Sequence, residues 1–313
     1  MKILVTGGAG FIGSSLAGFL VNKTNARVVI VDNYLTGKQS NIPQSERCRF
    51  IKVDANDFND ISSVFHAFGF DYVFHYAAVV GVKRTLENPV MVLDDLMGIR
   101  NILTLCKNTG VKRVFYASSS EVYGEPVHLP QHEHTTPLNS RLPYAVVKNA
   151  GESFCRSYYQ EYGLEYTIFR FFNTYGPKQS HDFVVSRFID AALKDEPITI
   201  YGDGQQTRTF CFIDDNLEAT TNCLLENKFV NDVVNIGNDQ EISVLELART
   251  IKKLTGSRSK IIHLDPLAEG DMTRRQPDIE KMKRLLNRPF TSLEEGLTKI
   301  IQVRKGLMEE ATI

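Results

Sequence analysis

The chain is poor in the features that mark disulfide-stapled, metal-bound or membrane-spanning proteins. Its 313 residues hold five cysteines, Cys48, Cys106, Cys155, Cys211 and Cys223. They are odd in number, far apart and never in a CxxC pair, which argues against a disulfide framework and against a zinc site. No second His, Cys or carboxylate stands at ligand spacing from His75, so no catalytic metal is expected. No apolar run nears the roughly 18 residues that a membrane span requires. The opening MKILVTGG enters a strand pattern at once, without a charged, apolar, small-residue leader, and the cytoplasm is the expected compartment. Net charge is also scarce: 36 Lys and Arg against 37 Asp and Glu leave −1. No global field draws in nucleic acid or an anionic membrane, so any anionic ligand must be held by local groups.

What is present is an ordinary globular composition, 42% hydrophobic and 23% charged, with chain enough for one large domain or two closely joined ones. KILVTG (2–7), RVVIVD (27–32), RFIKVD (49–54), DYVFHYA (71–77), KRVFYAS (112–118) and YTIFRFF (166–172) are almost continuously apolar, as strands buried on both faces are. Helical patterns lie between them near 11–22, 60–68, 88–109 and 143–162. This alternation predicts an α/β fold: a Rossmann-type, doubly wound parallel sheet. After residue 172 the texture becomes mixed, with helices near 184–194, 243–254 and 291–308. The expected division is a dinucleotide-binding domain over 1–172 and a smaller mixed α/β substrate lobe over 173–313. VVNIG, near 232–237, is expected to return to the main sheet.

VTGGAGFIG sits between the first strand and the first helix, with Gly7, Gly10 and Gly13 in GxxGxxG spacing. Glycines there let the chain turn sharply and let a pyrophosphate reach the amides that open a helix, here those of Phe11, Ile12 and Gly13. The second strand ends in Asp32, roughly 20 residues further on, where a carboxylate can accept from the adenosine ribose hydroxyls and would repel the extra phosphate of NADP. NAD is therefore the expected cofactor. Asp54 follows the third strand as a contact at the adenine end. Ala77 and Ala78 end the fourth strand and are small enough to let the cofactor approach.

YAVVK places Tyr144 and Lys148 four residues apart on one helical face. An ammonium beside a phenol stabilises the phenolate, and the expectation is that Lys148 draws Tyr144 down into the range of a usable general base. Lys148 can also hold the nicotinamide ribose. The run YASSSEVYG (116–124) ends another strand and supplies serine hydroxyls to complete a proton-handling site. Alone, each motif has a structural reading: a glycine turn, a surface pair, a strand-ending cluster. In this order and combination they point to a dinucleotide enzyme acting on an alcohol.

With these motifs the chain resembles the extended short-chain dehydrogenase/reductase family, in its nucleotide-sugar epimerase, dehydratase and decarboxylase branch, from the first strand to about residue 300. The resemblance implies Tyr144 as base, Lys148 as its partner and Ser119 as the third member, with Ser118 ending the strand. It implies oxidation of a nucleotide-linked sugar at C4, giving a transient 4-keto sugar, with the hydride returned from tightly held NADH. FFNTYGP brings Asn173 as a diphosphate or sugar contact, or equally as a cap on the strand end before a Gly-Pro turn. YGDGQQTRTFCFIDD and GDMTRRQPDI bring Arg208 and Arg275 as diphosphate ligands, Arg275 being preferred to Arg274; a guanidinium suits paired, charge-assisted bonds. Ser120 joins Ser119 on the substrate side. A homodimer through the helices near 88–109 and 143–162 is also implied.

Beside Ser119 the chain has Ser120-Glu121, where similar dehydratases have Asp-Glu; a serine hydroxyl is a poor acid for expelling water. Ser-Glu occurs in sequences similar to UDP-glucuronate decarboxylases, but the bland AVV between Tyr144 and Lys148 resembles 4-epimerases. The expected function is a UDP-hexose 4-epimerase; decarboxylase comes second and an atypical dehydratase third. Glu121 is either catalytic or satisfied by backbone donors. Arg141 either meets a substrate carboxylate or is simply exposed. In DLMGI, Asp95 stands where the family has the asparagine of an NxxGT stretch, which either alters the site or is silent. Outside this class, a dinucleotide-binding sensor with a decayed site is the alternative.

Overall fold

The computed structural model describes residues 1–266 and 274–310. Its first half alternates β1 (Lys2–Thr6), α1 (Phe11–Lys23), β2 (Arg27–Asp32), β3 (Cys48–Lys52), α2 (Phe58–Phe68), β4 (Tyr72–His75), a short α3 (Val82–Glu87), α4 (Pro89–Thr109), β5 (Arg113–Ser119), α5 (Pro143–Tyr162) and β6 (Glu165–Phe171). Then follow β7 (Thr174–Tyr175), α6 (Val184–Leu193), β8 (Ile198–Tyr201), β9 (Thr207–Thr209), β10 (Cys211–Phe212), α7 (Ile213–Leu225), β11 (Asp232–Ile236), β12 (Glu241–Ser243), α8 (Val244–Thr255), β13 (Ile261–Leu264), α9 (Glu280–Lys283) and α10 (Leu293–Glu310).

Seven strands form one sheet in the order β11-β6-β5-β4-β1-β2-β3, every neighbouring pair parallel. This is the Rossmann-like doubly wound α/β fold. Strand residues alternate between two apolar cores. Ile3, Val5, Val28 and Ile30 pack with α1 and the later helices α6, α7, α8 and α10. Leu4, Val29, Val73 and Val114 pack on the opposite face with α2, α4 and α5. Phe74, Phe115 and Phe169 from three adjacent strands stack on one face, with successive centroids 4.4 and 5.9 Å apart. Continuous apolar runs are thus explained: both faces of each strand are covered.

β11 joins the sheet through a parallel register with β6, Val233 opposite Ile168. The segment TRTFCFIDD is not one strand. It divides at Phe210 into β9, antiparallel to β12, and β10, parallel to β7. β5 runs through Ser118 to Ser119, one residue beyond the expected end. No described helix is long and apolar enough to cross a membrane.

Candidate active site

The strand order turns back between β1 and β4, and open α/β sheets bind ligands in the crevice at such a point, beyond the strands' carboxyl ends. A cavity of about 560 Å3 lies there.

Its first wall is the glycine turn. Gly7 has φ +69°, a left-handed conformation, and a Cβ on it would stand 2.9 Å from the Ala77 amide nitrogen; no other residue fits that approach without strain. A Cβ on Gly13 would lie 2.2 Å from the Gly7 carbonyl oxygen, so helix and turn pack directly. α1 begins after Gly10, which provides no side-chain cap. The first-turn amides of Phe11, Ile12 and Gly13 thus open on a cavity that these residues line, a fitting cradle for a diphosphate. Asp32 is fixed rather than mobile: Oδ2 accepts from Ala9 N at 3.0 Å and Oδ1 from Tyr34 N at 2.7 Å. Asp54 accepts from Asn33 Nδ2 at 3.1 Å and Asn56 N at 2.9 Å. Asp32, Asp54, Ala77 and Ala78 all line the cavity.

The strand ends are tied by Thr6, which sequence reasoning missed. Its Oγ1 accepts from Tyr76 N and Ala77 N, each at 3.0 Å, and lies 2.8 Å from His75 Nδ1. His75 is buried and hydrogen-bonded, as expected. Burial, then the charge of Lys148, pulls its imidazolium down to about 3.

Ser119, Ser120, Glu121, Tyr144 and Lys148 meet in the same cavity. α5 opens on Pro143, suited to a first helical position, and Tyr144 follows at once. The Lys148 ammonium donates to the Ala117 carbonyl oxygen on β5 at 2.7 Å and lies 5.7 Å from the Tyr144 ring centroid. Burial pulls it down to about 8, against support from Asp95. The charge balance on Tyr144 differs from the sequence expectation. Its phenol is pushed above the ordinary range, by burial first and then by Glu121; Ser119's hydrogen bond and Arg275's charge pull it down.

Ser118 points elsewhere. Its Oγ donates to Glu152 Oε1 at 2.7 Å, and Glu152 also takes Arg170 Nε at 2.8 Å and Nη2 at 2.7 Å. Arg170 reaches on to Tyr123 Oη at 2.8 Å. This buried network fastens α5 behind β5. Glu152 stands four residues after Lys148, so helical spacing held a signal for it; Arg170 had none.

Further along the cavity wall, Arg275 Nη2 meets Glu121 Oε1 at 3.1 Å. Asn173 also lines it, at φ +33°, with its amide donating to Thr209 O at 3.0 Å. Arg208 does not line the cavity; it is buried on β9 and donates to Thr207 O at 2.7 Å. Arg274 is held outside by Glu241, and Arg141 is exposed ahead of α5. Phe183, Phe210 and Gln179 complete the wall, without any local motif to announce them. Among the described residues no group of three or more His, Cys, Asp or Glu could hold a metal ion.

A phosphate-cradling turn and a tyrosine–serine–lysine cluster in one crevice define a dinucleotide-dependent enzyme of the α/β class. Residues 3–237 match the model of the NAD dependent epimerase/dehydratase family, and the chain belongs to that family, with NAD as its cofactor. It is 37% identical over 309 residues to a putative UDP-glucose 4-epimerase of Methanocaldococcus jannaschii, covering 97% of this chain and 98% of that protein. It is 38% identical to UDP-glucuronic acid decarboxylase 1 of Xenopus tropicalis, covering 99% of this chain and 74% of that one. The solved UDP-glucose 4-epimerase of Thermotoga maritima with UDP-glucose superposes with TM-score 0.93 at 31% identity, covering 98% of this chain and all of that one.

Proposed function

We propose that the chain is a UDP-sugar 4-epimerase that retains its NAD. The observation that carries this reading is the meeting of Ser119, Tyr144 and Lys148 in the cavity opened by the glycine turn. In it, the α1 amides hold the cofactor diphosphate, Asp32 the adenosine ribose, Asp54 the adenine end and Lys148 the nicotinamide ribose. When bound, NAD supplies the acceptor and later the donor of a hydride at sugar C4. Tyr144 takes the C4 hydroxyl proton and gives it back, while Ser119 donates a hydrogen bond to the developing 4-keto oxygen. Arg275 and Asn173 bind the sugar nucleotide, with Arg208 supporting that wall from β9. Residues 1–172 with β11 form the cofactor domain, and the remainder forms the substrate lobe.

A second reading, UDP-glucuronate decarboxylase, is favoured by the Glu121–Arg275 pair. A uronate carboxylate entering beside Arg275 would compete with Glu121 for it. Oxidation at C4 turns such a sugar into a β-keto acid, which loses carbon dioxide readily.

Apolar side chains on α4 and α5 stand in solvent, among them Val90 (71% exposed), Met97 (52%) and Val146 (46%). They support a homodimer of this chain through these helices. The expected compartment is the cytoplasm.

The deciding experiment gives the purified protein UDP-glucose, UDP-N-acetylglucosamine and UDP-glucuronate and follows products by NMR. Epimerised sugar without net NADH is expected, abolished by Tyr144→Phe. Carbon dioxide release from UDP-glucuronate selects the second reading. Turnover of no sugar nucleotide overturns both.

A further inference from the structure

Asn235 is fully buried in β11 and does not line the cavity, yet its side chain joins two segments that do. Its Oδ1 accepts from Tyr123 Oη at 2.8 Å, and Tyr123 closes the turn that carries Ser120 and Glu121. Its Nδ2 donates to Gln131 O at 2.8 Å and to Asp278 O at 3.3 Å. Gln131 is itself paired with residues 276–278: its N donates to Gln276 O at 2.7 Å, and Asp278 N donates to Gln131 O at 2.9 Å. Arg275 directly precedes this pairing and reaches from it into the cavity, against Glu121. The orientation of the Asn235 amide is forced. Two carbonyl oxygens can only accept, so only the NH2 group can face them, and the Tyr123 hydroxyl must donate to the other end.

The sheet holds Asn235 firmly. It stands opposite Arg170 of β6 in the parallel register, and its backbone N donates to Glu133 Oε1 at 2.9 Å. Arg170 Nη1 donates to Tyr123 Oη at 2.8 Å and to Glu133 O at 3.0 Å. Just past β11, a Cβ on Gly237 would stand 2.8 Å from Pro277 Cγ, so strand and segment touch directly. Gly237 N also donates to Met282 Sδ on α9 at 3.1 Å. Residues 276–282 are thus seated on β11, and the two Asn235 donors are polar contacts within that seat. The arginine of the substrate lobe is in this way referenced to the same sheet that carries the glycine turn.

We propose that Asn235 is a positioning residue that pins the Arg275 segment to β11 and so sets where the guanidinium stands relative to the Ser119–Glu121 turn. The proposal deepens the reading above and rests on Arg275 as a ligand of the sugar nucleotide. Without the Nδ2 donors, the buried Gln131 and Asp278 carbonyls lose a partner, and an unpaired buried acceptor favours any shift that satisfies it. Such a shift displaces Arg275, three residues before Asp278. Affinity for the diphosphate of a nucleotide then falls, while the glycine turn after β1 keeps its NAD.

The test compares wild type with Asn235→Asp, Asn235→Ala and Tyr123→Phe. Asn235→Asp keeps the oxygen that takes Tyr123 but replaces the donors; Asn235→Ala removes both without adding charge and carries the comparison alone if the aspartate does not fold. Tyr123→Phe cuts the same buried network on its other side and leaves both donors in place, so it controls for simple destabilisation. Two quantities are read under conditions where melting curves show each variant folded. Calorimetry gives UDP affinity of the NAD-loaded protein, and mass spectrometry gives hydrogen exchange in peptides spanning Gln131 and Asp278. The Asn235 variants should bind UDP about tenfold more weakly and exchange faster in those peptides, with NAD content and exchange in α1 unchanged. Tyr123→Phe should match wild type within about twofold in both. Wild-type exchange and affinity in the Asn235 variants, or equal losses in Tyr123→Phe, overturn the proposal. If wild type binds no UDP, or Arg275→Ala binds it undiminished, the reading of Arg275 as ligand fails, while the exchange comparison still decides whether Asn235 pins the segment.

Discussion

Arg275 and Glu121 lie 154 positions apart in the chain and meet at 3.1 Å in the cavity that Tyr144 also lines. Their side chains are 7% and 19% exposed, so the pair is shielded enough for its charges to act on Tyr144 in opposite senses: Glu121 raises the phenol and Arg275 lowers it.

Replacing Glu121 by Gln removes the group that raises the phenol. Tyr144 should then release its proton at lower pH, and the acidic limb of kcat/KM should move to lower pH. Initial rates across a pH series check this. An unmoved limb would mean that Glu121 does not reach the phenol electrostatically.

Gly13→Ala should empty the enzyme of dinucleotide. The new methyl would stand 2.2 Å from the Gly7 carbonyl oxygen, so α1 must shift from the turn and take its first amides with it. Overpacking of this kind costs about 1–3 kcal/mol. Absorbance of nucleotide released on heat denaturation measures content, and a melting curve separates lost cofactor from lost fold.

Glu152→Ala should cost about 3–5 kcal/mol, because the Arg170 guanidinium would be left buried without its partner. In the folded protein Arg170 holds the Glu152 carboxyl below its ordinary range, although burial opposes this. The contribution is therefore full above the unfolded carboxyl's titration and is lost as pH falls through the folded value. Urea unfolding should show a gap between wild type and variant at neutral pH that narrows in acid.

Met97→Glu should halve the particle mass if α4 and α5 pair two copies. The methionine is 52% exposed on a helix that also displays Val90 and Leu93, and a buried glutamate at such a contact is costly. Light scattering after gel filtration reads the mass, and a variant that stays dimeric places the interface elsewhere.

Much of this arrangement is legible in the sequence because it is local. Strands buried on both faces read as unbroken apolar runs, and a four-residue interval puts Tyr144 above Lys148. What was hidden depends on distant segments. Nothing near Arg275 says that it faces Glu121 while Arg274 faces Glu241. Arg208 resembles Arg275 in chemistry yet sits outside the cavity, because β9 pairs with β12 and turns at Phe210. The direction of the Tyr144 shift was misjudged for the same reason. It sums burial with charges and a hydrogen bond from three segments, those of Ser119 and Glu121, of Asp95 and of Arg275, none of which the Tyr144–Lys148 spacing reveals.

A hydroxyl has a single hydrogen to give and two lone pairs to fill. At Thr6 the amides of Tyr76 and Ala77 occupy the lone pairs, so its hydrogen goes to His75. That fixes the imidazole tautomer: Nδ1 is the bare nitrogen, already engaged, and the ring's own hydrogen sits on Nε2. Burial, and then the charge of Lys148, keep this ring neutral at the cavity wall. In the proposed scheme, proton traffic is left to Tyr144, Ser119 and Lys148.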